Sequence, residues 1–242
     1  MSVPALRSGI EQVHVVIPAR DEEALLPDAL ASVARAADRL LAADSSVSVS
    51  TTVVADACGD ATAATAAAYG AHVVVADLRN VGAARRLGVE HATVGGGLDD
   101  RRVWLANTDA DCVVPDHWLL AQLELAAAGF AMVVGTVVPA PADLTPALGS
   151  RWHGRHDLVE GHPHMHGANL GLLLAAYRSV GGFPPLTVHE DVRLVAEVRA
   201  RDWRWSATHT TCVTASGRRH GRTADGFAAY LLALEQDDER TA

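Results

Sequence analysis

"VWLANTDADCVVP", Val103 to Pro115, decides how the rest of this chain is read. Its first half is an apolar run of the kind that forms a buried strand. The run turns polar at Asn107 and Thr108 and then sets two carboxylates, Asp109 and Asp111, one residue apart. Adjacent carboxylates repel each other and are costly to desolvate. At the mouth of a core strand, such a pair calls for a ligand or counter-ion of opposite charge.

Working outward from this stretch, strands alternate with helices. "VHVVIPA" (13–19), "VSVSTTVVAD" (47–56) and "AHVVVAD" (71–77) read as β-branched strands. Between them, "DEEALLPDALASVARAADRLLAA" has its apolar residues at helical spacing behind an acidic first turn, and "DATAATAAAYG" is a small-residue helix closed by Gly70. "NVGAARRLGVEHA" and "HWLLAQLELAAAG" predict helices on either side of the Val103 strand. This alternation implies βαβ units and a mostly parallel, Rossmann-like sheet covered by helices on both faces, an α/β fold in a single domain. Ligands of such sheets bind beyond the carboxyl ends of the strands. Here those ends carry Arg20 and Asp21, Asp56, Asp77 to Asn80, and Asp109 with Asp111.

The second half is less regular. "AMVVGTVVP" and "WSATHTTCVTAS" predict strands, and "ANLGLLLAAYRSVGGF" a short strand and helix. "HEDVRLVAEVRARDW" is an amphipathic helix with an acidic start, and "TADGFAAYLLALEQDDER" a last helix. The histidine-rich stretch 141–167 reads as loop and short helix.

The 242 residues are 49% hydrophobic and 20% charged, a globular balance with enough chain for one sizeable domain. The net charge of −9 argues against a nucleic-acid partner. All basic residues are arginine, so no lysine Schiff-base or P-loop mechanism is available. Three widely spaced cysteines give neither a disulfide framework nor a cysteine zinc site. No apolar run reaches transmembrane length, and "MSVPALRSGIEQ" lacks the signature of a signal peptide, so a cytoplasmic location is expected.

Six motifs in order resemble the family 2 glycosyltransferases of the nucleotide-diphospho-sugar (GT-A) fold, from about Val13 to about Phe227. They are "VVIPARDEEALLPDAL", "VVADACGDAT", "RNVGAARRLGVEHA", "NTDADCVVP", "HGANLGLLLAAYRSVGGF" and "HEDVRLV". The resemblance implies a nucleotide-binding half, 1–115, and an acceptor-binding half with the C-terminal helix, 116–242. It implies a divalent cation, Mn²⁺ or Mg²⁺, a nucleotide-diphosphate sugar as donor, and transfer of a hexose to an acceptor hydroxyl with inversion. Hard oxygen ligands suit both metals.

By this resemblance Asp111 ligates the metal and Asp109 faces the ribose or sugar. Pro18, Arg20 and Glu22 form the first nucleotide-binding turn, where Asp21 replaces the usual Asn and can cap the helix. Asp56 accepts a hydrogen bond from the base, although Ala55 stands where the family has another Asp. Asn80 and Arg85 approach the diphosphate, Arg85 as a bidentate fork, while Arg86 reads as a solvated charge. Asp60 reads first as a helix cap. Asp191 is the expected base that takes the proton from the acceptor hydroxyl, with Glu190 as its support. "ASGRRHGR", 215–222, offers Arg218 to the phosphate and His220 to the metal. His153, His156, His162, His164 and His166 could bind zinc, but no cysteine or His-x₃-His accompanies them, so acceptor contacts or solvation fit better.

Two other classes compete with this reading. A nucleotidyltransferase on the same fold would want a glycine-rich basic loop after the first strand, where "PARDEEALL" stands. A non-catalytic nucleotide- or partner-binding module would have no need for Asp109, Asp111 and Asp191 together. A dinucleotide-binding dehydrogenase lacks its GxGxxG. "FAAYLLAL" can pack on the domain or on a second copy in a homo-oligomer.

Overall fold

The computed structural model describes residues 8–95, 97–221 and 226–239. Arg222 and the start of the predicted last helix lie outside the described residues. Eight strands form one mixed sheet in the order β3-β2-β1-β4-β7-β6-β8-β5. β1 (Gln12–Ala19), β2 (Ser48–Asp56), β3 (His72–Ala76) and β4 (Val103–Asn107) are parallel to one another. β7 (Leu170–Leu173) runs against both β4 and β6 (Met132–Pro139). β8 (Trp205–Ala215) pairs parallel with β6, and β5 (Cys112–Val113) closes the edge antiparallel to β8.

The polarity of the sheet follows from burial. β4 is buried at every position, because helices cover both of its faces. One core holds Val15, Ile17, Trp104 and Trp118 under α1 (Leu26–Ala43) and α4 (Trp118–Ala127). The other holds Val16, Leu105, Leu172 and Phe183 under α3 (Val81–Ala92), α6 (Leu174–Ser179) and α7 (Glu190–Arg199). A short α2 (Thr62–Ala68) packs beside β3. In α3, Gly82 lets the helix start press on the 184–186 backbone, where a Cβ would stand 2.1 Å from the Pro184 carbonyl oxygen.

The predicted elements recur with two corrections. The first helix begins at Leu26 rather than at Asp21, because Pro27 sits in its first turn and Asp21 adopts a left-handed backbone. Asp21 therefore caps nothing in α1; its carboxylate accepts from the Gly59 N–H instead. The chain leaves β4 at Asn107 and re-enters the sheet as β5; the sequence reading ran the fourth strand on to Asp111 and assigned no strand to Cys112–Val113. The stretch read as loop and short helix holds a ten-residue helix, α5 (Pro146–Arg155), capped by Thr145. Its Leu148 and Trp152 pack on Leu231 and Leu234 of α8 (Phe227–Glu239), so this apolar face of "FAAYLLAL" is spent within the chain.

Candidate active site

The carboxyl ends of β1, β2, β4, β6 and β8 and the amino end of β7 reach one rim. The sheet order places β2 and β4 on opposite sides of β1, which opens a crevice at that rim. A cavity of about 730 Å³ lies there, lined by Pro18, Arg20 and Glu22, by Asp56 and Asn80, and by Arg85, Asp109, Asp111, Glu190, Asp191 and Arg218. The four non-glycine residues with positive φ among those described, Asp21, Ala57, Arg79 and His189, all sit in the turns around it. Such strain gathers where surrounding contacts over-determine a turn.

Asp56 ends β2 with its carboxylate held by three backbone N–H groups. Oδ1 accepts from Leu78 at 2.5 Å and Arg79 at 2.9 Å, and Oδ2 accepts from Asn80 at 3.0 Å. It shapes the β3–α3 turn while lining the cavity. Asn80, expected near the diphosphate, is the cap of α3: Oδ1 accepts from the Ala83 N–H, and Nδ2 donates to the Pro185 carbonyl. Asp60 accepts from Thr62 and Glu23, joining the start of α2 to the turn after β1.

Arg85 is not an open fork. Its side chain is 2% exposed, Nη2 donates to Asp109 Oδ1 at 2.5 Å, and Nε donates to Glu190 Oε1 at 3.1 Å. Nη1 is buried with no protein partner. Burial works against its charge, but Asp109, Glu190 and Asp191 outweigh that and hold its pKa above the usual arginine value. Burial likewise raises the pKa of Glu190, and Arg85 opposes the rise. Arg86 stays partly exposed beside Glu90, yet its Nη2 donates to the Gly181 carbonyl and its Nη1 to that of Phe183, tying α3 to the segment before α7.

Asp191 opens α7 beside Glu190. Its Oδ2 accepts from the Gly167 N–H at 2.5 Å and its Oδ1 from its neighbour Val192. Gly167 is required there, since a Cβ would lie 2.8 Å from Arg85 Nη2. "HGANLG" was legible as a site segment; the bond from its backbone to Asp191 was not, because it joins positions 24 residues apart.

Asp111 and Asp109 bring carboxylate oxygens, with the Cys112 sulfur, within 4.8 Å of one another. Burial and Asp109 push Asp111 up to about 6, against the pull of Arg218. Cys112 is fully buried, and burial with the neighbouring Asp111 and Asp109 holds its thiol well above its usual pKa. Arg218 binds both Glu22 oxygens, at 2.8 and 2.6 Å, and lies 3.0 Å from Asp111. His220 is exposed and stands outside the Asp109–Asp111–Cys112 group, so the structure does not bring it to the expected metal site. The loop histidines form no three-ligand group among the described residues; they stack instead, His156 on Trp152 with ring centroids 4.3 Å apart.

Residues 14–170 match the model of Glycosyl transferase family 2. The chain belongs to that family. Solved structures agree on the fold. This family 2 chain aligns with TarS of S. aureus at TM-score 0.62 and 13% identity, over 85% of itself and 36% of TarS. It aligns with a mannosyltransferase from Pyrobaculum calidifontis in complex with GDP-Man and Mn²⁺ at TM-score 0.60 and 17% identity, over 88% of itself and 59% of that chain. With glucosyl-3-phosphoglycerate synthase from Mycobacterium tuberculosis, in complex with Mg²⁺ and UDP, the values are 0.53 and 19%, over 94% and 79%. The glycosyltransferase domain thus spans about a third of TarS and under two thirds of the mannosyltransferase. No curated protein matches the sequence. No helix among the described residues is long and apolar enough to cross a membrane.

Proposed function

We propose that this domain transfers a hexose from a nucleotide-diphosphate sugar to an acceptor hydroxyl, with inversion, and that Asp191 is the base. The observation that carries this is the position of Asp191. Two backbone N–H groups fix its carboxylate in the cavity that also holds Asp109 and Asp111. An oriented carboxylate there can take the acceptor proton as the hydroxyl oxygen bonds to the anomeric carbon and the nucleotide diphosphate departs.

The donor set of Asp111 and Asp109 fits a hard divalent cation: two carboxylates converge, and burial raises the pKa of Asp111. Mn²⁺ or Mg²⁺ held there would neutralise the diphosphate and ease its departure. The residues up to 115, with Asp56 and the turn of Pro18 to Glu22, would hold the nucleoside; those from 116 onward would supply the acceptor side. Arg218 would add positive charge where the leaving group gains negative charge. Arg85 would hold Asp109 in place, and Glu190 would hold Arg85.

Asp191→Asn keeps the size of the side chain and an acceptor oxygen, yet cannot take a proton. It is expected to lower kcat about a thousandfold, within the usual range for a positioned base, while donor affinity by calorimetry stays within about threefold. A variant that turns over at the wild-type rate removes Asp191 from the mechanism. A domain that binds no nucleotide sugar with Mn²⁺ present overturns the whole reading.

A further inference from the structure

The acceptor side of the cavity has a chemical character of its own. Beyond Asp191 its wall is built from His156, Met165, His166, Phe227 and Tyr230. The rings support one another: His156 lies flat on buried Trp152, 8° from parallel, and Tyr230 meets His156 edge-on at 5.5 Å. Such a wall offers ring faces and CH-rich surface, the match for a ring in the ligand.

The wall also offers hydrogen-bonding groups. His156 Nδ1 lies 2.7 Å from the Trp152 carbonyl oxygen. A carbonyl only accepts, so Nδ1 carries the hydrogen and Nε2 is left to meet a hydroxyl of the ligand. Burial, with the rings of His164, His156 and His162, pushes His166 down to about 4.

Among the described residues, several arginines that line the cavity already bind carboxylates. Arg85 is bound by Asp109 and Glu190, Arg218 by Glu22 and Asp111, and Arg79 by Asp77. Arg20 follows β1 on the nucleotide side. The cavity that holds this wall also holds the carboxylates of Glu190 and Asp191. An anionic acceptor beside them would bring a like charge to Asp191, and a desolvated like-charge contact is unfavourable.

From these observations we infer that the acceptor is an uncharged alcohol carried on a ring, a sugar or an aryl glycoside, which lies against the His156–Tyr230 wall with its hydroxyl toward Asp191. This rests on the glycosyl-transfer reading above and narrows its acceptor.

The test uses the full chain with Mn²⁺ and the nucleotide sugar it binds, and follows both nucleotide release and glycosylated product. Four acceptors are compared: an aryl glucoside, methyl glucoside, glycerol and a phosphorylated hydroxy acid. The expected order of kcat/KM puts the aryl glucoside first and the phosphorylated acid at least tenfold lower. Tyr230→Ala should raise the KM for the aryl glucoside about tenfold and far more than it raises the donor KM, and Tyr230→Phe should restore it. Preference for the phosphorylated acid overturns the inference, as does glycerol equal to the aryl glucoside, or a Tyr230→Ala variant whose acceptor KM is unchanged. Nucleotide release with any of these outcomes leaves glycosyl transfer standing; no donor binding and no nucleotide release in any arm fails both.

Discussion

Arg85 Nε donates to Glu190 Oε1 at 3.1 Å across 105 residues of sequence, and the same guanidinium reaches Asp109. One buried cation thus joins the strand-end acids of β4 to the acidic start of α7. Removing one member of such a network leaves the others charged and desolvated. Arg85→Gln is expected to destabilise the fold by roughly 3–5 kcal/mol, read by urea denaturation. Arg85→Lys keeps the charge without the fork, so it should recover part of that stability but little of the transfer rate. Wild-type stability in Arg85→Gln would show that the network contributes nothing to the fold.

Gly167 stands between that guanidinium and Asp191. An added methyl would lie 2.8 Å from Arg85 Nη2, and Arg85, held by two carboxylates, has little room to yield. Gly167→Ala should therefore cost about 1–3 kcal/mol of stability. It should also lower kcat more than it changes the donor KM, because the N–H that orients Asp191 must shift. Steady-state kinetics beside thermal melting separates the two effects.

Asp111 is pushed up to about 6 by burial and by Asp109. A proton on this carboxylate competes with a cation, so metal affinity should fall as pH drops through that value. The rise in Tm produced by Mn²⁺ should shrink between pH 7 and pH 5, and Asp111→Asn should abolish it at both. A pH-independent Mn²⁺ effect would place the cation elsewhere.

His166 is held down near 4, against an ordinary value of 6.5. Above 6.5 the ring is neutral folded or unfolded and carries no penalty. As pH falls from 6.5 toward 4 the unfolded chain takes up the proton and the folded one does not, so stability declines. The shift corresponds to a loss on the order of 3 kcal/mol by pH 4. Other carboxylates titrate in this window, so the measurement is a difference: His166→Asn should lose less stability than wild type between pH 7 and pH 4.5.

Much of the site was legible because acids at strand ends are a local pattern. Asp56, Asp109 and Asp111 follow buried β-branched or apolar runs, and a parallel sheet carries the ends of such strands to one rim. The partners of those acids were not legible. Arg85 and Asn80 both line the cavity, but the sequence does not show that Asp109 and Glu190 bind Arg85 or that Asn80 caps α3. His220 matches a basic loop by position, but its ring is exposed outside the acidic group. The aromatic wall was hidden for a related reason: Trp152 and Tyr230 lie on α5 and α8, which meet through Leu148, Leu231 and Leu234 and share no motif.

By itself the sequence determined the alternation of strands and helices, the acid-tipped strand ends and the family to which they belong. These depend on periodicity and on chemistry within a few residues. Only the tertiary structure decided which charge answers which. The pairs Arg85–Glu190 and Arg218–Glu22 span 105 and 196 residues, and they exist because β7 and β8 carry the second half of the chain back to the rim of the first. Burial then makes each pairing matter, since a charge removed from water must find its partner in the fold.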